Sequence, residues 1–101
     1  MKVVLFFEWD NPIENDRMNA YRKFTRESTY WKEKISEGLV ASYSTYADTA
    51  RPRHIIGLFE FSDWQSLSEV MGSKEFQRGT RDFGYMVDNL EYRLLRPSIP
   101  V

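Results

Sequence analysis

His54-Ile55-Ile56-Gly57-Leu58-Phe59-Glu60-Phe61-Ser62-Asp63-Trp64-Gln65-Ser66-Leu67 carries a strand into a helix without a linker. Apolar residues fill both alternating sets of its first half, Ile55, Phe59 and Phe61 on one side and Ile56 and Leu58 on the other. A strand of that kind is covered on both faces. Ser62-Asp63-Trp64-Gln65 then has the spacing of a capping box, in which a short oxygen side chain holds a backbone N–H and a Gln three residues on reaches back. Trp64, Leu67, Val70 and Met71 continue at helical spacing. Gly72-Ser73 breaks that helix, and Ser73 is placed to cap a following one that carries Phe76, Phe83 and Val87. Gly79 and Gly84 weaken this last helix by about 1 kcal/mol each relative to Ala.

Upstream, residues 2–9 read as a strand, with Val3, Leu5, Phe7 and Trp9 on one phase and Val4 and Phe6 on the other. Asn11-Pro12-Ile13-Glu14 suits a helix start, with Asn as N-cap, Pro at the first helical position and Glu closing the box, and Asn15 offers a second start. Met18, Tyr21, Phe24, Ser28, Trp31 and Ile35 form one stripe that runs to a C-terminal glycine, Gly38. Leu39 to Ala47 reads as a second strand, Asp48 to Arg53 as a polar turn, His54 to Phe61 as the third strand and Asn89 to Arg96 as the fourth. Pro97 and Pro100 end regular structure. The order β-α-β-β-α-β is that of a ferredoxin-like α+β sandwich: a four-stranded antiparallel sheet with both helices on one side, in a single domain over residues 1–101.

The helix side takes the more apolar phase of each strand. The other face then shows Val4, Phe6, Ile56, Leu58 and Leu95, together with Glu8, Glu60, Glu91 and Arg93. Five large apolar side chains on one open sheet make a patch that monomers seldom leave in water. A two-fold homodimer through this face is the expected answer.

Composition narrows the function. Net charge is −1, so there is no basic footprint for nucleic acid or an anionic membrane. Cysteine is absent and His54 is the single histidine, which excludes disulfides, thiol catalysis and a multi-histidine metal site within one chain. The apolar run at the N-terminus stops at Glu8, short of a signal sequence, and no stretch approaches the roughly 20 apolar residues of a membrane span. A cytoplasmic protein without membrane partners is the expectation. Aromatic residues make up 16% of the chain, enough to build an aromatic-lined pocket as well as a core.

The strand–helix junction Phe59-Glu60-Phe61-Ser62-Asp63-Trp64-Gln65-Ser66-Leu67, the break Gly72-Ser73-Lys74-Glu75-Phe76-Gln77 and the close Val87-Asp88-Asn89-Leu90-Glu91-Tyr92-Arg93 together resemble the dimeric α/β-barrel superfamily. The resemblance spans essentially the whole chain. It implies one of several activities: a cofactor-independent, antibiotic-biosynthesis-type monooxygenase, an isomerase or a cyclase. It equally implies a non-enzymatic ligand-binding or structural dimer. The haem-degrading branch of that superfamily pairs a first-strand asparagine with a tryptophan at a helix start and a histidine iron ligand. Trp64 matches the tryptophan, but Glu8 and Asp10 stand in the first strand and Arg78-Gly79-Thr80 where the histidine belongs, so no haem, metal or other cofactor is expected.

Candidate residues carry two readings each. His54 is a general acid/base or a solvated hairpin residue. Glu8 and Glu60 are expected to be neighbours across strands one and three, either sharing a proton or pairing with Arg93 at the dimer face. Arg51 and Arg53, flanking Pro52, hold an anion or merely decorate a turn. Trp64, Tyr21, Phe24, Trp31, Tyr43 and Tyr85 line a ligand pocket between helices and sheet, or fill the core there. In the pocket reading, Trp64 turns its ring back over the sheet and His54 or a tyrosine is the nearest polar group.

Overall fold

The computed structural model describes residues 2–98 and forms a slab 43 × 33 × 18 Å. Its thin dimension is one sheet plus one layer of helices. The strands are β1 (Val3–Asp10), β2 (Ser42–Ala47), β3 (His54–Phe61) and β4 (Asp88–Leu95), and the helices are α1 (Asn15–Glu27), α2 (Tyr30–Ser36), α3 (Trp64–Met71) and α4 (Lys74–Met86). The sheet is antiparallel throughout in the order β2-β3-β1-β4, which is the ferredoxin-like arrangement. Pro97 follows the end of β4; Pro100 lies outside the described residues.

Register settles which side chains share a face. Val3, Leu5, Phe7 and Trp9 stand opposite Phe61, Phe59, Gly57 and Ile55. They form the core with Val40, Leu67, Val70, Phe76 and Val87. The helix-facing phase is therefore the one the alternation indicates.

Both helical segments are broken, the second at the Gly72-Ser73 break that the sequence indicates and the first where one continuous stripe was expected. α3 and α4 meet at Gly72-Ser73, and Ser73 Oγ accepts from the Phe76 N–H at 3.1 Å while donating to the Val70 carbonyl. α3 is capped by Asp63, whose carboxylate accepts from the Ser66 N–H, one residue later than the Ser62 box. The first helix starts at Asn15 rather than Asn11 and breaks at Ser28, whose ψ of 127° is extended. The break lets Trp31 swing down to within 4.2 Å of the Phe59 ring centroid. No residue of α1 or α2 is fully buried. Rings, not backbone packing, hold these helices over the sheet.

Candidate functional site

Beneath α1 and α2 lies a cleft of about 590 Å³. Phe7, Trp9, Tyr43 and Phe59 rise from the sheet as its floor, Tyr21, Phe24, Tyr30 and Trp31 come down from the helices, and Phe76 and Phe83 of α4 close one side. The rings meet edge to face or tilted: Phe7–Phe59 at 5.5 Å, Trp9–Phe83 at 5.0 Å and Phe24–Phe83 at 5.6 Å between centroids, while Tyr43 stacks on Phe59 at 5.7 Å. Such geometries suit the ring quadrupoles. Gly57 leaves the floor without a side chain between them: a Cβ there would lie 3.2 Å from Phe59 and 3.3 Å from Trp9.

Polar groups in the lining are few. Phenols come from Tyr21, Tyr30, Tyr43 and Tyr46, hydroxyls from Thr25, Ser28, Thr45 and Thr80, and charges from Lys32 and Glu75 alone. Burial pushes the Tyr21 phenol above its ordinary pKa, opposed by the neighbouring Trp9 indole. Tyr21 thus stays a neutral phenol at physiological pH.

Of the pocket residues expected from sequence, Tyr21, Phe24, Trp31 and Tyr43 line this cleft; Trp64 and Tyr85 do not. Trp64 is 43% exposed at the start of α3 rather than folded over the sheet, and Tyr85 is 73% exposed. Trp64 follows the Asp63 cap directly, at a point where α3 directs Leu67 and Val70 inward instead. The sequence placed Trp9, Phe59, Phe76 and Phe83 in the core and missed their second role as walls. The available signal was Gly57, a gap in an otherwise bulky strand.

A second constellation occupies the end of the open face. His54 stands opposite Asp10 and, unlike a solvated hairpin residue, is only 5% exposed. Its Nδ1 lies 2.8 Å from Asp10 Oδ1, and Nε2 lies 3.6 Å from Glu8 Oε1, too far for a hydrogen bond. The Asn89 amide, then the His54 ring, hold the Asp10 carboxyl below its ordinary range. An ionised Asp10 only accepts, so Nδ1 carries the hydrogen. Asn89 reaches Asp10 from the left-handed region at φ 56°, beside the irregularity in β1–β4 pairing at Glu8 and Asp10.

Glu8 and Glu60 are not neighbours. In the observed register Glu8 faces Ile56 and Glu91, while Glu60 faces Val4 and Ser42. Glu8 pairs with Arg93 at 3.2 Å, and Glu60 with Lys2 at 2.9 Å and the Ser42 hydroxyl at 3.1 Å. Arg93 thus meets only one of the two carboxylates, and its guanidinium covers the Phe6 ring. Arg53 is committed to structure: its Nε donates to the Asn11 carbonyl and its Nη2 to Asp88, which holds its backbone at φ 75°. Among the described residues no group of three or more His, Cys, Asp or Glu is disposed to hold a metal ion, and no helix is long and apolar enough to cross a membrane.

No family model matches the sequence, and no curated protein matches it. Solved structures do. SnoaB of Streptomyces nogalater, a cofactor-independent oxygenase solved as a point variant, superposes with a TM-score of 0.73 at 7% identity, covering 99% of this chain and 96% of that one. The chain shares its fold with antibiotic-biosynthesis-monooxygenase-like ferredoxin-fold proteins. Another structure of an antibiotic biosynthesis monooxygenase gives 0.64 at 19% identity, covering 99% of this chain and 100% of that one. A conserved protein from Methanosarcina mazei gives 0.75 at 15% identity, with 97% and 94% covered. At these identities the likeness establishes the fold, and function rests on the site.

Proposed function

We propose that the chain binds an aromatic small molecule in the cleft between sheet and helices, working as a cytoplasmic homodimer paired through the open face. One observation carries the binding reading: eleven of the twenty residues lining a cleft of about 590 Å³ are aromatic. That volume lies in the range of small-molecule sites, and an aromatic guest gains both area burial and ring contacts there. The pairing is supported by Val4, Phe6, Ile56 and Leu58, half-buried in the monomer, and Leu95, 40% exposed. The paired charges at this face, Arg93 with Glu8 and Lys2 with Glu60, would frame the apolar centre.

Tryptophan fluorescence titrated with 1-naphthol and 1,4-naphthoquinone tests the site. Saturable quenching that weakens in Trp31→Ala and persists in Trp64→Phe supports it; no saturation below millimolar concentration rejects it. Light scattering tests the pairing, with an expected mass of about 24 kDa, twice the 12.1 kDa chain, and Leu58→Asp dissociating or unfolding it. A monomeric mass at micromolar concentration rejects the dimer.

A second reading, cofactor-independent oxygenation, is favoured by the fold shared with SnoaB. The substrate would supply its own carbanion, and the cleft would provide desolvation, orientation and a proton acceptor. His54, Glu8 and Glu60 lie on the opposite face of the sheet, so within one chain that acceptor would be Glu75, the one carboxylate of the lining, with the phenols orienting the substrate. Oxygen uptake with a bound naphthol separates this reading from binding alone.

A further inference from the structure

Among the described residues the sheet ends in two free edges, β2 and β4. A free edge presents a row of unpaired backbone N–H and C=O groups, which a protein either blunts or uses. β2 is short and carries no charge. β4 runs eight residues without a proline and pairs regularly with β1 from Leu95 to Glu91. Its helix-side residues are apolar, and the helical layer stops short of them: Tyr92 is 47% exposed and Leu94 42%. On the open face β4 carries Glu91 and Arg93. Glu91 stands directly opposite Glu8, a like-charge pair that costs stability, and the neighbouring Arg93 guanidinium goes to Glu8. Glu91 has no ion-pair partner among the described residues.

A second copy of the same strand supplies what is missing. Two identical strands meeting antiparallel about a two-fold axis normal to the sheet keep their helices on one side, so one residue faces itself and its neighbours pair in equal steps to either side. Charge decides which residue that is. Centred on Glu91 or Arg93, like charges meet at the axis. Centred on Leu90 or Leu94, neither charge meets its opposite. Centred on Tyr92, Glu91 faces Arg93 of the second copy twice over, Leu90 faces Leu94, and Tyr92 faces Tyr92. Opposite charges and apolar side chains directly across an antiparallel pair both stabilise it.

We propose that β4 is a self-pairing edge: a second copy adds its own β4, centred on Tyr92, and two sheets become one of eight strands. Pairing with β2 of another copy would leave Glu91 and Arg93 without opposite charges, and such a head-to-tail contact continues into open chains instead of closing. The edge is separate from the pairing through the open face, which stays free on the joined sheet. Its contact is one strand wide, at the low end of interface size, so it forms at high concentration and joins two face-paired dimers into a tetramer.

The chain has no cysteine, so a single Tyr92→Cys reports the axis. There the two Cα atoms lie about 4.5–5.5 Å apart, within disulfide reach. The control, Leu94→Cys, is displaced from its own copy by four residues of strand, roughly 13 Å, and is out of reach. Mild oxidation should give a disulfide-linked pair from Tyr92→Cys and not from Leu94→Cys. Light scattering of the unmodified chain, from micromolar to near-millimolar concentration, should show the mass rising from about 24 kDa toward about 48 kDa, two and four times the 12.1 kDa chain. Glu91→Arg should hold it at the lower value, and the swap Glu91→Arg with Arg93→Glu should restore the rise, because each arginine again meets a glutamate. Where Tyr92→Cys does not fold, this charge series decides alone. A constant dimer mass with no cross-link overturns the edge and leaves the face pairing standing. A Tyr92→Cys cross-link at a constant dimer mass keeps the edge and overturns the face pairing. A rise in mass that Glu91→Arg leaves untouched overturns the edge.

Discussion

A methyl group on Gly57 would press on Phe59 at 3.2 Å and on Trp9 at 3.3 Å, contacts that must be relieved by moving rings already packed edge to face. Gly57→Ala should therefore destabilise the protein by roughly 1–3 kcal/mol, the usual range for overpacking, and a thermal melt measures it. An unchanged melting temperature would mean the rings shift freely and the floor is loosely made. His54 shows what a sequence hides at this scale. It stands next to an exposed, arginine-rich turn, so a solvated position is the natural reading. Its burial depends on Asp10, forty-four positions away in the chain and directly opposite it in the sheet. That opposition follows from register, which neither residue announces. Register also separates Glu8 from Glu60 although their strands pair. By contrast, Tyr21, Phe24 and Trp31 were legible as pocket candidates because helical spacing alone puts them on one stripe.

The two helix breaks differ in how openly they are written. Gly72-Ser73 combines a poor helix former with a good N-cap, and the observed bond from the Phe76 N–H to Ser73 Oγ is the one that pattern indicates. Ser73→Ala should cost about 1 kcal/mol, the common value for losing such a cap, measured by urea denaturation. A loss under a few tenths would mean that packing of Phe76 alone sets the start of α4. The break at Ser28 has no glycine or proline, and the apolar stripe continues across it from Phe24 to Trp31. Periodicity persists because both segments present the same side to the sheet, so pattern alone reads one helix. The pairing of β1 with β3 follows from the element order and was legible; β4 on the other side of β1 completes the sheet.

At the scale of the molecule, charge and packing set different limits. Asn89 and His54 hold Asp10 low, and Lys2 with Ser42 holds Glu60 low. A carboxyl depressed in the fold contributes stability that is present above its unfolded pKa, about 4, and is lost as pH falls through the folded value. The melting temperature should therefore decline below about pH 4. The Asp10→Asn, Glu60→Gln double variant should show a flatter decline; an identical slope would place the acid sensitivity elsewhere. The sheet and its core were readable from alternation, and so was part of the cleft's lining, whereas its size was not, since it depends on how far above the sheet α1 and α2 come to rest. Because α1 buries none of its residues completely while Val3, Leu5 and Phe61 are sealed, the two layers should not exchange their amide hydrogens alike. Amides of α1 should exchange through a partial opening that depends on denaturant less steeply than global unfolding does, and those of β1 only through global unfolding. A common, denaturant-sensitive rate for both would show a single cooperative unit. With the expected split, the helical cover lifts many times for each loss of the core, and a guest enters and leaves without the sheet ever coming apart.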